Sequence, residues 1–256
     1  MSLTSTPRAA LVTGGTRGMG RATALALARA GYSVAVNFSR DAGPAEETRQ
    51  LIEEAGQMAI VLRADVSDEV AVRAMLESCT QQFGRLDALV NNAGITVDTM
   101  PEDLPGVDLE QWDRVFAVNV RGLFQVTRAA VPLLRVSDQG AVVNMCSIAG
   151  LRPSAQPLAY AASKAAVENL TRTLSRVLAP QVRVNAVAPG WVLGEWMERT
   201  LGENYERLMG RRAQHTPLAR VASPEDVAET VTSLIESNHF VTGSVVVVDG
   251  GYSATT

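Results

Sequence analysis

The sequence predicts a doubly wound α/β domain built on a parallel, seven-stranded sheet with helices on both faces. Three observations predict it. Seven short apolar runs, rich in β-branched residues, alternate with helix-like segments along the 256 residues. The runs are continuous rather than alternating apolar and polar, as strands buried on both faces require. A glycine-rich turn directly follows the first run and opens the first helix, the Rossmann-type arrangement.

The strand-like runs are 9–14 (AALVTG), 32–39, 58–66, 86–94, 140–147, 182–190 and 243–251 (GSVVVVDGG). Between the first two lies RATALALARA, alanine- and leucine-rich, with Gly31 at the position of a C-terminal cap. PAEETRQLIEEA stops at Gly56, and SDEVAVRAMLESCTQQF opens on a serine or aspartate cap and ends at Gly84. Residues 108–135 and 157–179 are expected to form two longer helices. SPEDVAETVTSLIES starts with Ser223 as N-cap and Pro224 at the first helical position. Residues 1–256 read as one domain, with 1–7 as a tail. The stretch 191–222 contains no strand but carries apolar, aromatic and charged residues, and is a candidate substrate lid.

Composition excludes several roles. A formal net charge of −4 gives no electrostatic support for nucleic-acid binding, and no basic run suggests a membrane surface. Cys79 and Cys146 are far apart and no Cys/His cluster occurs, so no metal site is expected. No apolar run approaches the ~20 residues that span a bilayer, and MSLTSTPRAALVTGG lacks a secretory pattern. A cytoplasmic protein is the expectation.

The turn reads Thr13-Gly14-Gly15-Thr16-Arg17-Gly18-Met19-Gly20. Glycines let backbone N–H groups approach a pyrophosphate, and a helix N-terminus favours its charge. An acid after the second strand holds the ribose 2′-hydroxyl of NAD. Here that strand ends Val36-Asn37-Phe38-Ser39-Arg40, without one. Arg40 and Arg17 suit a 2′-phosphate, which takes forked, charged donors, although Asp41 follows Arg40 directly. NADP(H) is therefore preferred, with NAD(H) possible.

Tyr160-Ala-Ala-Ser-Lys164 places a phenol and an ammonium one helical turn apart. A cation there favours phenolate and makes an acid–base pair. A core tyrosine with a lysine passing it reads equally from these five residues. The wider pattern adds Asp65 after the third strand, Asn91-Asn-Ala-Gly94, Asn119 in Val-Asn-Val, Ser147 in Cys-Ser-Ile-Ala-Gly, and Pro189-Gly190. With these motifs in this order from about residue 8 to residue 252, the chain resembles the short-chain dehydrogenase/reductase family.

That resemblance implies an oxidoreductase acting on CH–OH/C=O groups. Tyr160 would be the general acid in ketone reduction, and Lys164 would lower its pKa and hold the nicotinamide ribose. Ser147 would donate to the carbonyl oxygen, and Asn119 would anchor a proton-relay water. The implied cofactor set is Gly14, Thr16, Arg17, Gly18, Met19 and Gly20 in the turn, then Phe38, Ser39 and Arg40. It continues through Asp65 and Val66 at the adenine, Asn91, Ala93 and Gly94, then Tyr160 and Lys164, and closes with Pro189, Gly190 and Val192. Cys146 stands where relatives often have serine, and Gly194 where they often have a threonine for the carboxamide. The expected substrate is a small or medium carbonyl compound or its alcohol. The alternative is the thioester of 3-oxoacyl-carrier-protein reductases, entering past 137–139 and 179–181, neither of them basic, with Arg211-Arg212 as a substitute basic patch. A non-catalytic nucleotide-binding regulator is the alternative of another class. A homotetramer or homodimer is the expected assembly.

Overall fold

The computed structural model describes residues 7–97, 99, 102–153 and 156–255; of the expected tail only Pro7 falls within them. Seven strands form one parallel sheet in the order β3-β2-β1-β4-β5-β6-β7. They are β1 (Ala9–Val12), β2 (Ser33–Phe38), β3 (Ala59–Arg63), β4 (Ala88–Asn91), β5 (Gly140–Met145), β6 (Val182–Pro189) and β7 (Val245–Val248). Strand order reverses between β1 and β4, and ligands bind at the carboxyl ends beside such a switch point.

The continuous apolar runs have a direct cause. Ala9, Leu11, Leu89, Val142 and Val184 face one helix layer, where Val72, Met75, Val126, Leu134 and Leu174 cover them. Their neighbours Ala10, Val12, Val90 and Val143 face the other, against Leu27, Ile52, Val231 and Ile235. Both faces of each central strand are therefore dry, so most positions are apolar and the buried amides Asn91 and Asn144 pair with each other. β7 is an edge strand, and Val247 stays 41% exposed.

The helices are α1 (Gly18–Arg29), α2 (Gly43–Glu54), α3 (Glu69–Phe83), α4 (Leu109–Phe116), α5 (Leu123–Leu134), α6 (Leu158–Leu178), α7 (Glu195–Leu201), α8 (Tyr205–His215), α9 (Pro224–Glu236) and α10 (Tyr252–Thr255). Capping follows the sequence signals. The Asp68 carboxylate accepts from the Val70 and Ala71 amides at the start of α3, which ends on left-handed Gly84. Ser223 and Asp226 form a reciprocal capping box on α9.

The single helix expected over 108–135 is interrupted. Residues Ala117–Gly122 form a π-helical turn between α4 and α5, and Asn119 sits inside it. Its side-chain Oδ1 accepts from the Ile95 amide at 2.8 Å, and its Nδ2 donates to the Ile95 carbonyl at 2.9 Å and to Ser163 Oγ at 3.0 Å. Within this interrupted ladder the amide clamps the segment after β4.

Candidate active site

The glycine turn sits at the switch point and is held there by a residue outside the predicted set. Asn92 donates from Nδ2 to the carbonyls of Thr13 and Gly14, at 3.0 and 2.9 Å. A Cβ on Gly20 would collide with the Gly14 carbonyl oxygen and lie 2.6 Å from Asn92 Nδ2. Gly14 and Gly18 take positive φ, and a Cβ on Gly18 would meet nothing within 4 Å. The N-terminus of α1 has no side-chain cap and no acid in its first turn. Its free N–H groups and positive dipole end thus face open space, which fits an anionic pyrophosphate.

A cleft runs from this turn along the carboxyl ends of the strands. Gly14, Arg17, Gly18, Met19, Gly20, Ala93, Gly94, Ser147, Tyr160, Lys164, Pro189, Gly190 and Val192 all line it, as does Asn92. Thr16 is set back, its carbonyl accepting from Arg21 Nε at 2.9 Å. Asn91 belongs to the sheet interior: its Nδ2 donates to Thr127 Oγ1 and Asn144 Oδ1, both at 2.9 Å. Phe38, Ser39, Arg40, Asp65 and Val66 lie at the carboxyl ends of β2 and β3, outside that lining.

Several of these groups are already engaged. Burial pushes the Asp65 carboxyl up, but the hydrogen bond from Ser67 and the Arg114 guanidinium outweigh it and hold the group at about 2. The Val66 carbonyl accepts from Gln125 Nε2 at 2.9 Å. Arg17 is ion-paired with Asp41 at 2.8 Å and with Glu195 of α7 at 3.2 Å, so it joins residues 191–222 to the glycine turn. Arg40 is exposed and makes no ion pair among the described residues.

Ser147 follows β5 by two residues and Tyr160 lies in the first turn of α6, so strand end and helix bring them together across 13 residues of sequence. Burial pushes the Tyr160 phenol from 10.0 up to about 12, against the opposing pull of the Ser147 hydroxyl. Burial, and not the Lys164 charge, is the largest influence on this phenol. The Lys164 ammonium donates to the Met145 carbonyl at 2.7 Å and stands 5.6 Å from the Tyr160 ring centroid. Burial also brings Lys164 from 10.5 down to about 8. Cys146 is a buried thiol pushed up by burial, with Sγ 3.2 Å from the Lys164 carbonyl.

A second pocket also takes in this pair. Ser147, Tyr160, Gly190, Trp196 and Met197 line both cavities. Residues 191–222 supply Trp191, Trp196, Met197 and Arg212 to its wall. Trp191 and Ala222 bridge the base of that segment, α7 buries no residue, and Trp196 lies 6.4 Å from the Tyr160 ring centroid to centroid. Gly194 has φ +123, a conformation in which threonine would be strained.

The expected entrance segments are placed elsewhere. Residues 137–139 and 179–181 precede β5 and β6, at the amino ends of strands whose carboxyl ends carry the cleft. Arg211 and Arg212 also part: Arg211 is exposed, whereas Arg212 turns into the second pocket.

Comparison with known proteins agrees with this arrangement. A family model described as "Enoyl-(Acyl carrier protein) reductase" matches residues 14–253. The chain belongs to the short-chain dehydrogenase/reductase family. It is 40% identical over 242 residues to a Streptomyces violaceoruber protein named as a ketoacyl reductase of the granaticin polyketide synthase, covering 94% of each chain. It is 37% identical to a 3-oxoacyl-[acyl-carrier-protein] reductase of Staphylococcus aureus over 95% of this chain and 97% of that one. The crystal structure of levodione reductase superimposes with a TM-score of 0.91 at 31% identity, covering 97% and 98%. As a member of this family the protein is an oxidoreductase that uses a nicotinamide cofactor and a small-molecule substrate. Among the described residues no group of His, Cys, Asp and Glu could hold a metal, and no helix is long and apolar enough to cross a membrane.

Proposed function

We propose that the protein reduces a ketone to a secondary alcohol with NADPH, using Tyr160 as general acid. One observation carries the reading: Ser147 and Tyr160 stand in the wall common to the cleft at the glycine turn and the second pocket. A carbonyl in the second pocket would meet both hydroxyls on the side from which a group in the cleft can reach it.

The glycine turn would hold the cofactor's pyrophosphate and Gly94, Pro189, Gly190 and Val192 its nicotinamide end, which would supply a hydride. The chain's own groups manage the oxygen. Ser147 donates a hydrogen bond where negative charge develops. Tyr160, protonated at neutral pH, gives its proton to that oxygen. Lys164, cationic below about pH 8, places a positive charge near the phenolate that remains. Asn119 holds the segment beside Gly94 and Lys164, which supports a role in shaping the proton path.

NADPH is favoured by Arg40, which is available to a 2′-phosphate, and by Arg17 beside it. Asp65 would face the adenine. The named ketoacyl and 3-oxoacyl reductases support a second reading, reduction of a 3-oxoacyl thioester on a carrier protein. Exposed Phe240 and the half-covered β7 edge support self-association into a dimer or tetramer.

The test is Tyr160→Phe assayed with NADPH against ketones, β-keto esters and a 3-oxoacyl thioester. Loss of kcat by about 10²–10⁴-fold with NADPH binding retained is the expected result. Equal turnover by both proteins overturns the role of Tyr160.

A further inference from the structure

The second pocket is built for more than a neutral ketone. Its wall holds two arginines, Arg152 and Arg212, and among the described residues no acidic side chain lines it. Arg212 comes from α8, with its Cζ 4.5 Å from the Trp191 ring centroid and 5.9 Å from that of Tyr252. Its Nη1 donates to Tyr252 Oη at 2.9 Å. Arg152 approaches the same tyrosine, its Cζ 5.2 Å from the ring centroid. Two cations thus converge on one phenol ring.

The donors of Arg212 are unequally used. Nη1 is committed to Tyr252, while Nε is buried and, among the described residues, without a partner. Trp191 Nε1, under the same guanidinium, is likewise buried and unpartnered. An unmet buried donor costs about 1–3 kcal/mol, more when charged, so a site keeps such groups only where something satisfies them. The remaining edge of a guanidinium offers parallel N–H donors, the geometry that matches the two oxygens of a carboxylate.

We infer that the substrate is an oxo acid, whose carboxylate is held by Arg212 and Trp191 while its ketone faces Ser147 and Tyr160. This deepens the reductase reading and, for catalysis, rests on it. Arg212 is a specificity-determining residue in this account, and Arg152 adds positive potential to the same wall. The inference also sets the substrate apart from a carrier-protein thioester, which presents no carboxylate at this position.

The experiment compares acetoacetate and 4-oxopentanoate with their methyl esters. The first readout needs no turnover: quenching of tryptophan fluorescence, from Trp191 and Trp196, by each compound with NADP+, which cannot reduce it, in place of NADPH. The second is kcat/KM. Wild type is expected to bind the acids at least about tenfold more tightly than the esters, with a matching ratio in kcat/KM. In Arg212→Met that ratio falls to near one, and in Arg212→Lys it is partly restored, which a merely structural role would not produce. Equal binding of acid and ester by wild type overturns the inference, as does an unchanged ratio in Arg212→Met. If acids bind selectively but no carbonyl is reduced, the carboxylate site stands and the reductase reading fails. If acids and esters are reduced equally well, the reverse holds.

Discussion

Lys164 Nζ donates to the Met145 carbonyl at 2.7 Å, not to the phenol of Tyr160 one turn earlier. The last carbonyl of β5 thereby fixes the lysine beside the cleft. The phenol keeps its proton, because burial dominates its titration.

The first prediction follows from that proton. Free tyrosine ionises near 10. In the cofactor-free protein Tyr160 ionises at about 12. A difference titration of wild type against Tyr160→Phe at 295 nm should show no Tyr160 phenolate below pH 10. A phenolate already present at pH 8 would place Lys164 in direct control of the phenol.

Lys164 also links stability to pH. Its folded pKa, about 8, is depressed below the ordinary 10.5. Below pH 8 both states are charged and the folded protein bears the full desolvation cost. Between 8 and 10.5 the folded lysine loses its proton first, so stability rises with pH. The gap amounts to about 3 kcal/mol. Lys164→Met removes this dependence. Denaturant unfolding should show wild type gaining about 2 kcal/mol on the variant between pH 7 and 9.5. A constant difference would refute the assignment.

Gly20→Ala forces a methyl into the Gly14 carbonyl and the Asn92 amide that staples the turn. NADPH binding should fall by more than about 100-fold, since the pyrophosphate cradle cannot form. Gly210→Ala is the control: it lies in α8 with nothing near its Cβ position and should stabilise by about 0.5–1 kcal/mol. Isothermal titration and thermal melts measure both.

Arg40→Ala should weaken NADPH by about tenfold and leave NADH within about twofold, the effect shrinking with salt. Glu195→Gln should act in the opposite direction. It frees Arg17 from its 3.2 Å ion pair and should tighten NADPH by up to about fivefold. Unchanged NADPH affinity in both variants would assign the 2′-phosphate to other groups.

Much of the fold was legible in the chain. Continuous apolar runs require strands with two dry faces, and Gly84, Ser223 and Pro224 mark helix ends through local geometry that needs no distant partner. The motif residues Ser147, Tyr160 and Lys164 were legible for the same reason, because a strand end and one helical turn suffice to align them. What was illegible depended on contacts between distant segments. Asn92 reads as one amide among many until it meets Gly14, 78 residues away. The π turn around Asn119 exists to clamp Ile95. Arg212 looks like half of a surface pair until α8 packs it onto Trp191 and Tyr252. The proton on Tyr160 was decided the same way. Spacing put a cation one turn from the phenol, but burial and the Met145 carbonyl set where charge settles, and both are properties of the packed structure alone.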